Sequence, residues 1–184
     1  MHKPPASGGR NLLPGRRQAL LAGAVVVGSG LAALSLVPHL PVLLWNATAS
    51  APLGFYRLTP AGDPQVGDWV AARPAASLAG WLAAGGYLPA HVPLLKRVAA
   101  IKGQTICRRG RRILIDGRLA ARALARDHHG VALPSWCGCR VLAERAVLLL
   151  NAPADSLDGR YFGQTDTAEI LGRAEPLWTW SVTQ

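Results

Sequence analysis

The sequence predicts a mainly β fold: an N-terminal transmembrane helix, then a folded-over antiparallel β-sheet or partial barrel with one or two short helical inserts. Three observations predict it. A long uncharged run sits near the N-terminus. Short apolar runs recur downstream between turn signals. Gly and Pro supply 20 and 14 of the 184 residues, which keeps strands short and turns frequent. Half of the residues are hydrophobic, enough for a real core, and this excludes a wholly disordered chain.

The first element follows from charge. Residues 1–17 carry Lys3, Arg10, Arg16 and Arg17 and no acid, and are expected to form a basic cytoplasmic tail. Residues 18–56 contain no Asp, Glu, Lys or Arg, and 19–37 are rich in Leu, Val and Ala. At about 1.5 Å per residue such a run spans the hydrocarbon core. Residues 18–37 are therefore the expected transmembrane helix, stopped by Pro38 and Pro41. A soluble helix would show a polar face, and this run has none. A cleaved signal peptide would need a cut near Ala47-Thr48-Ala49, well past the apolar run. The positive-inside bias keeps the tail in the cytoplasm and exports residues 38–184 as one domain.

Strands are expected over 69–72, 93–101, 104–107, 112–115, 118–121, 140–142 and 146–150. Asp116-Gly117 between two apolar triplets is a strong hairpin signal. Residues 75–84, between Pro74 and Gly85-Gly86, predict a helix. A second helical reading covers 119–126 and competes with the strand there. No internal repeat is visible, and the order of elements argues against a βαβ fold.

The net charge of +10 is local. Residues 107–126 hold Arg108, Arg109, Arg111, Arg112, Arg118, Arg122 and Arg126 against Asp116 alone, whereas from 127 onward four Arg face seven acids. A histone-like polycation is excluded. The cluster suits either a solvated hairpin edge or a basic module that touches DNA or anionic lipid. No aromatic residue interleaves it, so nucleic acid is not the expected partner. Three cysteines fit an exported domain with one disulfide and one spare thiol. Cys137 and Cys139 are too close to pair comfortably, so Cys107 with either of them is expected. A zinc site would need a fourth ligand, and His128 and His129 do not complete a known spacing. No metal or cofactor is expected.

Three segments carry chemistry. Asn46 to Tyr56 is uncharged, with Ser50 among small residues and Pro52 and Gly54 fixing a tight path. Leu94-Leu95-Lys96-Arg97-Val98 places a lysine inside an apolar strand, where Lys is rare unless used or paired. Asp155-Ser156-Leu157-Asp158-Gly159-Arg160-Tyr161-Phe162-Gly163 is a polar loop with room for an Asp–Arg pair. Alone, each has a plain structural reading: a turn serine, a snorkelling lysine, a polar loop.

Together and in this order, over about residues 20–182, they resemble the signal peptidase I superfamily of Ser/Lys proteases. Ser50-Ala51-Pro52-Leu53-Gly54-Phe55-Tyr56 resembles the pattern Ser-x-Pro-x-Gly-x-Tyr of the conjugal-transfer TraF-type branch. Ala51 stands where signal peptidases usually carry Met, which favours that branch. Lys96 with Gly103 resembles the general-base strand, although Gln104 follows Gly103 where Asp is common. Asp68 in Gly67-Asp68-Trp69-Val70 fits another family box. The loop 155–163 resembles the closing box Ser-x-Asp-Ser-Arg-Tyr-x-Gly, with Gly159 in place of its second Ser.

The resemblance implies a membrane-anchored serine endopeptidase in the bacterial inner membrane, single-pass, with its catalytic domain in the periplasm. Ser50 would be the nucleophile and Lys96 its general base, which must be neutral to act. Ser156 would orient Lys96, Asp158 and Arg160 would hold the loop, and Thr48 would help stabilise the oxyanion. The substrate would be an exported precursor, in the TraF-type branch a conjugative pilin that is cleaved and in some cases cyclised. A general leader peptidase is the alternative within the family. Outside it stand the basic DNA- or lipid-binding module and a Ser-His-Asp hydrolase using His128 or His129, which lacks a Gly-x-Ser-x-Gly elbow at Ser50.

Overall fold

Apolar run and alternating pattern separate two kinds of element in this chain, and they fall into two units, residues 1–39 and 40–184. A computed structural model describes residues 14–35 and 43–180. In the first unit Pro14–Ser35 form a 22-residue helix, α1, with no acid in its first turn and no base in its last. Pro14 opens it, where a missing N–H costs nothing. Among the described residues no helix is long and apolar enough to cross a membrane. The expected span 18–37 ends at 36 and 37, outside the described residues, as do Lys3 and Arg10 of the basic tail.

The second unit is built on a seven-stranded antiparallel sheet. Its strands are β1 (Leu43–Asn46), β2 (Leu53–Thr59), β3 (Trp69–Ala72), β4 (Leu94–Ala100), β9 (Ala146–Leu149), β10 (Thr165–Asp166) and β11 (Ile170–Trp180), in the order β1-β2-β11-β3-β4-β9-β10. Between β4 and β9 the chain makes an excursion into a four-stranded sheet. That sheet comprises β5 (Thr105–Arg109), β6 (Arg112–Ile115), β7 (Arg118–Arg122) and β8 (Gly138–Val141), ordered β7-β6-β5-β8. Two α-helices, α2 (Ala76–Ala84) between β3 and β4 and the single turn α3 (Gly159–Phe162) in the polar loop, and a 3-10 turn at Thr167–Glu169 complete the described part of the unit.

Position in the sheet follows side-chain patterning. β2 alternates buried and exposed residues, as a strand with one solvated face must. β9 is buried throughout and β4 nearly so, which places them centrally. Val70, Val98, Val147, Leu149 and Ile170 pack as one cluster around them. Ile106 and Ile113 of the small sheet join Ala100, Leu142 and Leu148 in another, which fastens the two sheets together. The motif glycine Gly54 (φ +131°) lies where β11 crosses β2: a Cβ there would sit 2.1 Å from the Trp178 carbonyl oxygen.

The helix expected over 119–126 is instead strand β7. Asp116 and Gly117 both take positive φ, 49° and 78°, and this turn folds β7 back onto β6, pairing Ala121 with Ile113. β1, β2, β10, β11 and α3 lie outside the expected elements. Cys107 and Cys139 face each other across β5 and β8 and are joined by a disulfide; Cys137 is free and exposed.

Candidate active site

Ser50 lies in the turn between β1 and β2, half-buried beside exposed Ala47, Thr48 and Ala49. Its hydroxyl is 3.3 Å from Thr48 Oγ1. The turn is tied down from below by Asn46, buried at the end of β1, whose amide bonds Thr48, Ala51 and Pro52. Tyr56, fully buried, donates its hydroxyl to the Pro52 carbonyl at 2.8 Å and fixes the entry into β2.

Lys96 projects from the middle of β4 and is 4% exposed, whereas its neighbour Arg97 faces solvent on the other side of the strand. The Lys96 Nζ donates to Ser156 Oγ at 3.0 Å. Burial is the main influence on its pKa, which is lowered to about 8. Asp158 pulls it upward, Arg160 pushes it down, and Asp155 pulls it upward more weakly. Desolvation wins because the charged form loses its water while no carboxylate touches the amine.

The backbone on both sides of Lys96 is held by one residue. Asn151 accepts from the Arg97 N–H at 3.0 Å and donates to the Leu95 carbonyl at 3.1 Å. Its own N–H donates to Asp158 Oδ2 at 2.9 Å. Asp158 and Arg160, each 1% exposed, form a two-point ion pair: Nε to Oδ1 at 2.8 Å and Nη2 to Oδ2 at 3.1 Å. Arg160 also donates to the carbonyls of Asn151 and Ala154, and Asp158 caps α3 by accepting from Arg160 N–H. Every charged atom of this buried pair is thus partnered, the condition under which burial of charge is tolerated. Gly159 has to be glycine here, because a Cβ would meet the Leu149 carbonyl oxygen at 2.8 Å and Leu148 Cδ1 at 2.7 Å.

Arg108 of the small sheet and two residues of the connection between β7 and β8, Leu124 and Trp136, also hold this loop. Arg108 Nη1 donates to the Arg160 carbonyl at 2.6 Å, Trp136 Nε1 to the Gly159 carbonyl at 3.0 Å, and Tyr161 Oη accepts from Leu124 N–H at 3.0 Å. This corrects one expectation about the arginine cluster. Arg108 is buried and structural, while Arg109, Arg111 and Arg112 are exposed. Asp68 stands apart from the cleft; it accepts from Gln65 N–H and pairs with Arg173 at 3.0 Å, fixing the turn into β3.

A cleft of about 340 Å³ brings Thr48, Ser50, Lys96, Asp155 and Ser156 together. Its walls are apolar, from Leu44, Leu82 of α2, Leu88, Val92 and Leu95. Tyr87 closes one end, stacked on Trp81 at 4.9 Å and donating its hydroxyl to Asp127. Among the described residues no hydrogen bond joins Ser50 directly to Lys96; the two open on the same cleft. Asp158 and Arg160 lie behind it. The His128 and His129 rings lie 3.9 Å apart and tilted to each other, and neither they nor the three cysteines line the cleft. Among the described residues no cluster of His, Cys, Asp and Glu could hold a metal ion.

Sequence reasoning missed Asn46, Asn151, Tyr87 and the role of Arg108. The two asparagines did carry a signal, a lone amide closing an apolar run: Leu43-Leu44-Trp45-Asn46 and Leu148-Leu149-Leu150-Asn151. It is the same signal that singled out Lys96.

An apolar cleft with a neutralisable buried amine, a hydroxyl on an open turn and a locked polar loop is the kind of site a Ser/Lys hydrolase needs. The family model for signal peptidase, peptidase S26, matches residues 16–180. The chain therefore belongs to the signal peptidase S26 family of serine peptidases. It is similar to a conjugal transfer protein TraF of Agrobacterium fabrum, 35% identical over 144 residues, covering 73% of this chain and 81% of that one. It is also similar to a plasmid transfer protein TraF of Escherichia coli, 30% identical over 166 residues, covering 88% and 89%. A signal peptidase I structure from Enterococcus faecalis covers 61% of this chain and 97% of its own at 16% identity, with a TM-score of 0.35.

Proposed function

We propose that this protein is a membrane-anchored serine endopeptidase that uses Ser50 and Lys96 to process exported precursors for conjugal transfer, the pilin subunit first among them. The observation that carries the reading is Lys96: a 4%-exposed amine that shares the Ser50 cleft and is held by Ser156. The names of the TraF relatives support the link to conjugal transfer. The basic tail and the uncharged run 19–37 support the anchor, with the peptidase domain on the periplasmic side of the bacterial inner membrane.

In this reading neutral Lys96 takes the Ser50 proton as Oγ attacks the scissile carbonyl carbon. A backbone N–H of the turn stabilises the oxyanion; the Thr48 hydroxyl, expected to help there, gives its proton to Asn46 Oδ1 at 2.8 Å instead. When the C–N bond breaks, Lys96 returns its proton to the leaving amine. The acyl-enzyme ester is then cut by water, or by an amine of the same substrate chain, which closes a ring; in either case the attacking group's proton passes to Lys96 and from there to the departing Ser50 oxygen. Ser156 keeps the amine aimed, and the Asp158–Arg160 pair keeps Ser156 in place.

The test incubates the detergent-solubilised protein with a pilin precursor encoded beside it and weighs the products. Ser50→Ala should abolish cleavage while the thermal melt is unchanged, because one hydroxyl on an open turn contributes little stability. A product one water lighter than the linear fragment means ring closure. Cleavage by Ser50→Ala within about tenfold of the parent would place the nucleophile elsewhere.

A further inference from the structure

One side chain outside the proposed dyad organises the turn that carries Ser50. Asn46 is 6% exposed, and every polar atom of its amide is engaged within the turn. Nδ2 faces three carbonyl oxygens, of Thr48 at 2.9 Å, Ala51 at 3.1 Å and Pro52 at 3.0 Å. A carbonyl only accepts, so these three contacts fix which end of the amide is nitrogen. Oδ1 then faces the Thr48 N–H at 3.1 Å and the Thr48 Oγ1 at 2.8 Å. An amide oxygen has no proton to give, so the Thr48 hydroxyl donates its single proton to Asn46. Thr48 Oγ1 is left with only lone pairs toward Ser50, 3.3 Å away, and Ser50 must be the donor in that contact. The direction of a hydroxyl chain, Ser50 to Thr48 to Asn46, follows from three backbone carbonyls.

We propose that Asn46 is a positioning residue for the nucleophile, setting the place of the Ser50 hydroxyl through Thr48, from which the Ser50 proton turns to Lys96 as the attack begins. The proposal rests on Ser50 being the nucleophile. Two physical points favour a role in rate beyond simple stability. The turn has little else to hold it: Ala47, Thr48 and Ala49 are exposed, and Ala51 N–H reaches the Thr48 carbonyl only at 3.5 Å. The bonds of Asn46 also converge on the residues that flank Ser50, so a loss there displaces the hydroxyl and leaves the apolar walls of the cleft intact.

Full-length protein in detergent and a fluorogenic peptide with Ala at the first and third positions before the cut provide the test. Asn46→Asp keeps the side-chain size and the acceptor for Thr48 but removes both N–H groups. It should lower kcat by about 10²-fold, the scale expected when a reacting group is misplaced by an ångström. KM should stay within about threefold of the parent, since the apolar walls of Leu44, Leu82, Leu88, Val92 and Leu95 are untouched. Because the new carboxylate lines the same cleft as Lys96, any movement of the acid limb should be toward higher pH, and the kcat loss should persist on the alkaline plateau. Thr48→Val cuts the chain at its middle and should lower kcat by about tenfold or more, and Thr48→Ser, which keeps the hydroxyl, should recover most of that loss. Ser50→Ala, measured alongside, separates two failures. Cleavage by Ser50→Ala overturns the nucleophile, and this proposal with it. A dead Ser50→Ala beside an Asn46→Asp of parental kcat overturns this proposal alone. Should thermal melting find Asn46→Asp unfolded, Thr48→Val decides, and parental kcat in that variant is the overturning result.

Discussion

The two halves of the proposed dyad are built in opposite ways. Lys96 sits in β4, a central strand between β3 and β9, with its backbone bracketed by Asn151 and its ammonium held by Ser156. Behind these stand the buried Asp158–Arg160 pair and the contacts of Arg108 and Trp136. Ser50 sits on an open turn organised by one amide. The difference follows from the chemistry. An amine loses its proton near neutral pH only if its charge is desolvated, which requires depth and rigidity. A nucleophile must reach a peptide carbonyl, which requires exposure. Damage on the Lys96 side should therefore appear mainly in stability and in the pH profile, and damage on the Ser50 side in kcat.

The largest effect should come from Arg160→Ala. It leaves Asp158 charged and buried with half its partners gone, a change that costs about 3–5 kcal/mol. Denaturant unfolding of the full-length protein checks it, and a loss under about 1 kcal/mol would mean that the pair does not anchor the loop. Asn151→Ala should cost less, about 1–3 kcal/mol, because it strands two backbone groups beside Lys96. Water should then reach the amine more easily, so the acid limb of the rate profile should move above its parental position. A destabilised Asn151→Ala with an unmoved limb would break the proposed tie between strand and base. The smallest effects separate neighbours within the arginine cluster. Arg109→Gln with Arg112→Gln should change stability by no more than about 0.5 kcal/mol and leave cleavage as it was. Arg108→Gln, which loses its bond to the Arg160 carbonyl, should cost about 1–3 kcal/mol. Equal effects at 108 and 109 would contradict the buried role of Arg108.

How much was legible depended on whether the signal was local. β3 and β6 coincide with runs bounded by turn residues, and Asp116-Gly117 dictates its own hairpin. β11 was hidden because its end mixes polar and aromatic residues around Pro176, and its register against β2 shifts between Pro176 and Trp178. β2 was hidden inside a segment read for its serine. The closing loop was legible as an Asp–Arg candidate, but nothing local marks α3 or makes Gly159 obligatory; only the approach of β9 does. Arg108 and Arg109 are adjacent and chemically identical, and only β5 pairing buries one and exposes the other. Asn151 acts on a residue 56 positions away, a relation no spacing rule can carry, whereas the partners of Asn46 lie only 2 to 6 positions along the chain.

The pH dependence of kcat/KM on a short peptide, for the parent and for Lys96→Arg, tests the Ser50/Lys96 assignment most directly. Lys96 is protonated and inert below its pKa, and neutral and able to accept a proton above it. The rate should therefore rise with pH through an apparent pKa near 8, the value to which burial lowers this amine, and then level off. Lys96→Arg should be folded and inactive across the whole range, since a guanidinium keeps its proton and offers no lone pair. A Lys96→Arg protein that still cleaves, or a parental rate flat from pH 6 to 10 with chemistry rate-limiting, roughly two units either side of that value, would contradict a lysine base.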